Sequence, residues 1–346
     1  MNSRPVTLAI SVIIVAYNMA RELPRTLKTF APHNQLNVDE SSYEILVIDN
    51  GSSQYIDEAE YQRINPRVKV LRFPRPSMSP ADALNYGISM ASGRVICACI
   101  DGARMASPGL LSSGLAAMKL SPRAVVGALS YHLGYEPQPI AIRTGYSQKA
   151  EDALLRSVAW ENNSYELFRI SDVDPSARKG FFSMPAESNA LFMSREMWEE
   201  VGGFDVNFTS PGGGSVNLDL WKRLCDNPDN LIILLLGEGT FHQFHGGVST
   251  NALEEPWKEY DEEYKLIRGQ YYVWPTRTPV IFGTMNEFSY HFFRSKVNRS
   301  EFSQMTFFLA RRLLLKLRRR FLFRIRQVGP RVPLSDNRHR DRKSVR

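Results

Sequence analysis

ALNYGISMASGRVICACIDGARMASPGLL, Ala83–Leu111, runs from a helical pattern through a short β-branched stretch into one acid, one cation and the start of another helix. The apolar run Val95–Ile100 is too short for a helix and reads as a buried strand; it hands Asp101, then Arg104, to its carboxyl end. The same alternation continues on both sides. LAISVIIVAYN, YEILVIDNGSS, RVKVLRFP and AVVGALSYH read as further strands, with ELPRTLKTFAPH, DEAEYQRI, SPADALNYGISMAS and SPGLLSSGLAAMKL as the helices between. Such alternation predicts right-handed βαβ units and a mostly parallel sheet, that is, an α/β Rossmann-like fold flanked by helices. Ser79 and Ser107, each before a proline, are the expected helix caps.

After Tyr135 the pattern changes, and residues 136–185 read as an insertion or lid of helical and loop character. SNALFMSREMWEEVGGFD restores a strand and a helix closed by glycine. TSPGGGSVNLDLWKRLCD is a glycine loop entering a helix, and LIILLLGEGTFHQFHGG is a last buried strand ending in histidines. The expected organisation is an α/β domain over 1–250, a helical extension over 251–330 carrying a basic amphipathic helix, and a disordered tail over 331–346.

With 346 residues, 43% of them hydrophobic, the chain can bury a sizeable core. Its net charge of +7 is unevenly spread: of 43 Lys and Arg, 14 lie from Arg311 onward, against 2 of the 36 Asp and Glu, so the body holds 29 cations and 34 acids. A mildly acidic body excludes a nucleic-acid-binding core, which needs a basic stripe on its folded elements. Three cysteines form neither a disulfide framework nor a zinc site; Cys97 and Cys99, two apart on one strand face, read as small core residues of a protein in a reducing compartment. The apolar run near the N-terminus has about 15 uncharged residues, short of the roughly 18–20 of a spanning helix, and its Val and Ile suit a strand.

In open α/β sheets, ligands bind outside the carboxyl ends of the strands. There the strands deliver Tyr17 and Asn18, then Asp49, Asn50, Gly51 and Ser52, then Asp101 and Arg104, and finally His242 and His245. Asn18 and Asn50 also suit plain Asx turns. VAYNMARE lacks the glycines of a dinucleotide-binding turn, and no G-x-x-x-x-G-K-[ST] occurs, which excludes the dehydrogenase and P-loop readings.

SVIIVAYNMARELPRTL, YEILVIDNGSS, the opening stretch, VGGFD followed by GGGSVNLDLWKR, and GEGTFHQFHGG resemble, in order and spacing, the family 2 glycosyltransferases of the GT-A fold over about residues 8–250. The resemblance implies sugar transfer from a nucleotide-diphosphate sugar to a glycan or lipid-linked acceptor, with inversion and with Mg²⁺ or Mn²⁺. It implies that Ala16, Tyr17 and Asn18 line the base and that Asp49 accepts from base or ribose, with Asn50 beside it. Asp101 falls on the first acid of the family's D-x-D, holding metal and diphosphate, and His242 on the histidine that completes the metal site. His245 would face the other way in a continuing strand; only a turn aims both inward. A diphosphate leaving group that gains charge is what a hard cation held by oxygen ligands stabilises.

Two positions depart from the family pattern. The second acid of D-x-D is Ala103, and the acidic pair before the late helix, which in relatives supplies the base, is Val216 and Asn217. Asp219 and Glu187 are the candidate replacements; the plainer readings are a first-turn acid favoured by the helix dipole and a surface loop acid. Arg104 could bind phosphate oxygens or simply form a salt bridge, and Arg72, after the third strand, offers a weaker phosphate or base contact. In FFLARRLLLKLRRRFLFRIRQ, Phe307, Ala310, Leu314, Leu317, Phe321 and Ile325 make one stripe with Arg312, Lys316, Arg319 and Arg320 largely elsewhere. This predicts contact with an anionic membrane surface, hence a cytoplasmic protein peripheral on the inner face of the membrane, or else a helix docked on the body. The rival functions are a nucleotide-sugar-binding pseudoenzyme and a membrane-surface interaction protein.

Overall fold

Residues 8–248 and 256–293 are described by a computed structural model. The strands are β1 (Ile10–Ala16), β2 (Tyr43–Asp49), β3 (Val68–Arg72), β4 (Val95–Cys99), β5 (Arg104–Ala106), β6 (Ala124–Leu133), β7 (Ser171–Val173), β8 (Ala190–Ser194), β9 (Leu231–His242) and β10 (Val280–Gly283). The helices are α1 (Leu23–Thr29), α2 (Glu58–Ile64), α3 (Ala81–Met90), α4 (Leu110–Met118), α5 (Gln138–Ala141), α6 (Gln148–Arg156), α7 (Arg195–Val201), α8 (Val216–Asp226) and α9 (Trp257–Arg268). One ten-stranded sheet runs in the order β10-β9-β6-β8-β4-β1-β2-β3, with β5 on β9 and β7 on β6. This is the helix-flanked, mostly parallel α/β arrangement that the alternation predicts.

Burial follows strand position. Central β1, paired in parallel with β2 and β4, is buried at every residue, as a strand covered on both faces must be, whereas edge strand β3 is buried only at Val68. Cys97 and Cys99 are free thiols inside this core. The first-half strands and helices appear where the periodicity places them. Ser79 Oγ accepts from Ala81 N at 3.4 Å, as a cap does, although α3 proper begins after Pro80; Ser107 does not cap α4, which follows Gly109, and its Oγ donates to buried Glu238 at 2.5 Å.

Strand direction decides what meets at the carboxyl edge. β8 is antiparallel to both β4 and β6, and β6 is parallel to β9, so β1, β2, β4, β6 and β9 all end on the edge where β8 begins. β5 is antiparallel to β9 with Arg104 opposite His242. A register shift between Gly127 and Leu129 lets β9 bulge, with Gly237 in the left-handed region at φ +81° and Thr284 O packed where a Cβ would project. Beyond the bulge, β9 leaves β10, which pairs with 233–236, and offers Thr240–His242 to β5.

The 136–185 segment comprises α5, α6, β7 and short 3₁₀ turns, and is tied to the sheet through β7. Past the expected domain boundary at residue 250, α9 and β10 continue the same compact unit, which runs to Phe292, so the sheet itself draws on residues expected in the extension. The basic amphipathic helix and the tail lie outside the described residues. Among the described residues, no helix is long and apolar enough to cross a membrane.

Fully buried Asp219 joins α8 to α9. Its Oδ2 accepts from Arg223 Nε at 2.8 Å and its Oδ1 from Arg268 Nε at 2.6 Å, and Arg268 also reaches Asp205 at 2.6 Å. Hydrogen bonding to Asp219 and Asp205 raises the pKa of Arg268. Removing the acid from a buried pair costs about 3–5 kcal/mol, and less here because both guanidiniums are partly exposed. Asp219→Asn is therefore expected to lower unfolding free energy by about 2 kcal/mol in denaturant titration.

Candidate active site

Three loops open the carboxyl edge. Ala16, opposite Asp49, ends β1, and Asp49 in turn lies opposite Arg72 at the end of β3. Asn18, in the left-handed region at φ 54°, accepts from Ser53 N at 2.8 Å through Oδ1 while its own backbone N–H donates to Ser52 Oγ at 3.0 Å. Asn50 holds the 77 loop by a two-way contact with the Ser77 backbone. Both asparagines thus fasten one loop to a distant one rather than closing local Asx turns. Buried Asp49 accepts from Ser52 N at 2.8 Å through Oδ1, and its Oδ2 makes no hydrogen bond among the described residues. Tyr17 and Arg72 are exposed beside it.

Asp101 follows β4. Its Oδ1 accepts from Ala103 N at 2.9 Å, and Arg104 Nε lies 3.3 Å from Oδ2. Ala103 is packed in the hydrophobic core, so an acid there would be buried in it; the missing second acid has a steric reason. Arg104, 5% exposed, also donates to Ser130 Oγ at 2.8 Å.

β9 ends at His242, and the chain then leaves the strand, so His245 swings back instead of continuing the alternation. The two Nε2 atoms are 3.1 Å apart. Asp101, His242 and His245 each offer a ligand atom, all within 4.8 Å of one another. Gln138 Nε2 donates to His242 O at 2.9 Å, which turns its Oε1 to His242 Nδ1 at 3.0 Å. That contact assigns the proton to Nδ1 and leaves the Nε2 lone pair facing His245, the tautomer a metal ligand needs. Burial first, then Arg104, His245 and His132, holds the His242 pKa well below the ordinary value; burial also lowers His245, against Asp101 and Glu22. Neutral imidazoles beside a carboxylate fit a divalent cation.

Glu187 stands just before β8, hence on this edge, and is partly exposed. Its peptide neighbours are fixed: Trp221 Nε1 donates to Pro185 O at 3.0 Å, and Tyr272 OH to Ala186 O at 2.7 Å. Asn217 Nδ2 donates to Glu187 Oε2 at 2.6 Å, and Asn189 Nδ2 lies 3.4 Å from Oε1. Asn189 also reaches Ser130 Oγ at 3.2 Å, which links Glu187 through Ser130 to Arg104 and Asp101. Burial, with Asp174 adding, raises the Glu187 pKa against the pull of Arg104 and Asn217. Asp219, the other replacement acid, does not join them: both its oxygens are taken by Arg223 and Arg268. It is a structural acid, which corrects the expectation that it could serve in catalysis.

His132, Asp174, Ser130, Asn189 and Gln138 are participants that sequence reasoning missed. His132 Nε2 lies 3.0 Å from Asp174 Oδ2, at ion-pair distance though off the hydrogen-bond line. Although burial acts upward on Asp174, His132 lowers its pKa. The signal was Ser130 and His132, polar residues two apart at the end of an apolar strand; Gln138 left none.

The glycosyl transferase family 2 profile matches residues 11–171. Over these residues, less than half of the chain, the sequence is similar to glycosyl transferase family 2. Of the residues at the carboxyl edge, the match takes in Asp49, Asp101 and Arg104 and stops before Glu187, α8 and the histidines. No curated protein matches the sequence. Among solved structures, residues 1–349 of S. aureus TarS are similar at 12% identity and TM-score 0.46, covering 75% of this chain and 64% of that one. The same TarS fragment in complex with UDP-GlcNAc gives 14% identity and TM-score 0.49, with 75% and 65% covered. The chain thus spans less than two thirds of the TarS fragment.

A second acid governs the His245 loop. Fully buried Glu151, on α6, accepts from Phe244 N at 2.6 Å and pairs with Arg21 at 3.1 Å. Burial raises its pKa from 4.5 to about 7, against the Phe244 N–H and Arg21. A carboxyl raised in the native state binds more protons there than in the unfolded chain, so its stability contribution is full below about pH 4.5 and lost as pH rises to about 7. Relative to Glu151→Gln, the wild type is expected to lose about 3 kcal/mol across that window in unfolding titrations.

Proposed function

We propose that the chain transfers a sugar from a nucleotide-diphosphate sugar to a hydroxyl of a glycan or lipid-linked acceptor, with inversion and with the help of a divalent cation. The observation that carries this reading is the meeting, on the edge of a family 2 segment, of Asp101, Arg104 and the His242–His245 pair with a separate, partly exposed carboxyl, Glu187. The loops after β1 and β2 suit the nucleoside: Asp49 Oδ2 as acceptor, Ala16, Tyr17 and Asn18 as wall, Asn50 as fastener, and Arg72 at the rim. Arg104 faces the diphosphate, donating to phosphate oxygens as the leaving group gains charge.

Glu187 is the proton acceptor. As the acceptor oxygen bonds to the anomeric carbon, the bond from that carbon to phosphate breaks, the electron pair leaves with the diphosphate, and the hydroxyl proton passes to Glu187. A carboxyl whose pKa is raised toward neutrality is a stronger base for that step than an ordinary one. Asp101, His242 and His245 would hold Mg²⁺ or Mn²⁺, which supplies further charge stabilisation when bound. The same reading includes a cytoplasmic, inner-face location, supported by the basic amphipathic pattern in the sequence of 307–325 and by a lipid-linked acceptor. Against this stands the pseudoenzyme, which the vacant acidic pair at Val216 and Asn217 favours; Glu187, tied to Asn217, opposes it.

A panel of UDP-, GDP- and dTDP-sugars, with and without Mn²⁺, tests it by thermal shift and donor hydrolysis. One nucleotide class is expected to raise the melting temperature, because a ligand bound to the native state stabilises it, and to be turned over slowly; Asp101→Ala is expected to lose both responses. No shift with any donor would refute the proposal.

A further inference from the structure

Two stretches of chain flank Glu187. Residues 175–186 lead into it, and residues 269–283 are tied to them where Tyr272 OH donates to Ala186 O at 2.7 Å. Together they hold three cations, Arg178, Lys179 and Arg277, and no acid, on a body in which 34 acids outnumber 29 cations. We infer that this wall binds an anionic group of the acceptor, so that the molecule glycosylated is an acidic glycan with a phosphate or carboxylate near the reacting hydroxyl; this rests on the reading of Glu187 as proton acceptor and adds the charge of the substrate to it.

The 175–186 loop is fixed in place. Ala186 N donates to Ser176 O at 2.8 Å and closes it at its base, Gly180 N donates to Ala177 O at 2.9 Å with Gly180 in the left-handed region at φ +68°, and Phe181 and Met184 are buried. Exposed Arg178 and Lys179 are seated on partly exposed Trp274, with Arg178 Cζ 5.3 Å and Lys179 Nζ 4.5 Å from the ring centre. An indole attracts a cation through its π-face and takes up none of its hydrogen-bond donors. Neither side chain has an acid or a hydrogen-bond acceptor as partner among the described residues. Other cations of the body are spent: Arg21, Arg104, Arg223 and Arg268 pair with carboxylates, and Arg277 donates to the carbonyls of Asn227 and Pro228. Two cations held in position with all their donors unused form a prepared seat for phosphate or carboxylate oxygens, which they bind by charge-assisted hydrogen bonds.

The setting favours a glycan over a lipid surface. Phe182, 81% exposed, projects from the same loop, and Val273 is exposed beside Trp274, so apolar faces that a sugar ring can cover adjoin the cations. An anionic membrane calls for a run of about four to eight cations, whereas two cations and one projecting ring match one charged unit of a chain. Trp274 is two residues from Tyr272, hence at most about 7 Å away between Cα atoms, and Tyr272 is bonded to the peptide next to Glu187, which keeps the anion near the reacting hydroxyl. Both stretches lie beyond the family match over 11–171, as suits a surface that meets the acceptor and not the donor.

The test is a calorimetric titration of the purified full chain with trigalacturonate, phosphorylated maltotriose, plain maltotriose and phosphatidylglycerol vesicles. The expected result is that a charged trisaccharide binds at least about tenfold more tightly than plain maltotriose, and that Arg178→Ala/Lys179→Ala abolishes the difference while the exposed-cation control Arg63→Ala/Lys119→Ala keeps it. Raised salt is expected to weaken the charged ligand alone. Thermal unfolding of each variant separates a lost contact from a lost fold, and the donor-induced thermal shifts are expected to persist in Arg178→Ala/Lys179→Ala. Equal binding of plain maltotriose, charged binding unchanged in that double variant, or binding of the vesicles with neither charged trisaccharide would overturn the inference. Charged trisaccharides that bind through Arg178 and Lys179 while no nucleotide-sugar shifts the melting temperature would leave the anionic-glycan surface standing and remove the transfer reading alone.

Discussion

The antiparallel course of β8 is the constraint on which the site depends. A wholly parallel sheet gathers at its carboxyl edge only the residues that end its strands. By running β8 backward between β4 and β6, this sheet brings the residues before a strand to the same edge as those after its neighbours. Glu187 and Asn189 reach the site in that way, and Arg104, opening the antiparallel β5, reaches it opposite His242. Bulging of β9 at Gly237 lets one strand serve two neighbours and still end beside β5. Side chains on rigid strands are held more firmly than on loops, which suits groups whose spacing must be kept to fractions of an ångström.

Charge on this edge is arranged around Arg104. Its guanidinium sits between Asp101 and Ser130 and acts on both Glu187 and Asp174, so one buried cation faces several acids drawn from β4, β8 and the segment after β7. The acids outnumber the guanidinium, so on the proposed reading a bound divalent cation would have to offset their charge before a diphosphate could approach Arg104. A diphosphate would meet fixed N–H groups without waiting for solvent to reorganise, which is the main way enzymes stabilise developing negative charge. Asp219, by contrast, answers two arginines on the far side of α8 and holds α8 to α9.

Much of this was legible in the sequence, for physical reasons. Strands buried on both faces are continuous apolar runs, and the polar residues that end them, Asn18, Asp49, Asp101 and His242, fall at one edge because sheet direction is implied by the βαβ alternation. The fate of Asp219 and Glu187 was not legible. A one-dimensional pattern placed Asp219 nearest to the vacant Asn217, but on a helix two residues apart means nearly opposite faces, and its partner Arg268 is 49 residues away. Glu187 depends on the direction of a five-residue strand, and Gln138 on a contact with His242 across 104 residues. The position of His245 depended on the chain leaving the strand after His242. Three short strands, β5, β7 and β10, carry too few residues for periodicity to detect.

The central proposal is that Glu187, ahead of β8, takes the acceptor proton in place of the acid that the family resemblance implies before α8. Exchanging the two positions tests it most directly, by donor turnover and donor affinity in Glu187→Gln and in the double variant Glu187→Gln/Asn217→Asp. The account predicts a fall of about 10²–10⁴-fold in turnover for the single variant with donor affinity kept, and substantial recovery in the double variant, where the acid returns to α8. Full turnover in Glu187→Gln, or a loss that tracks donor affinity alone, would contradict it.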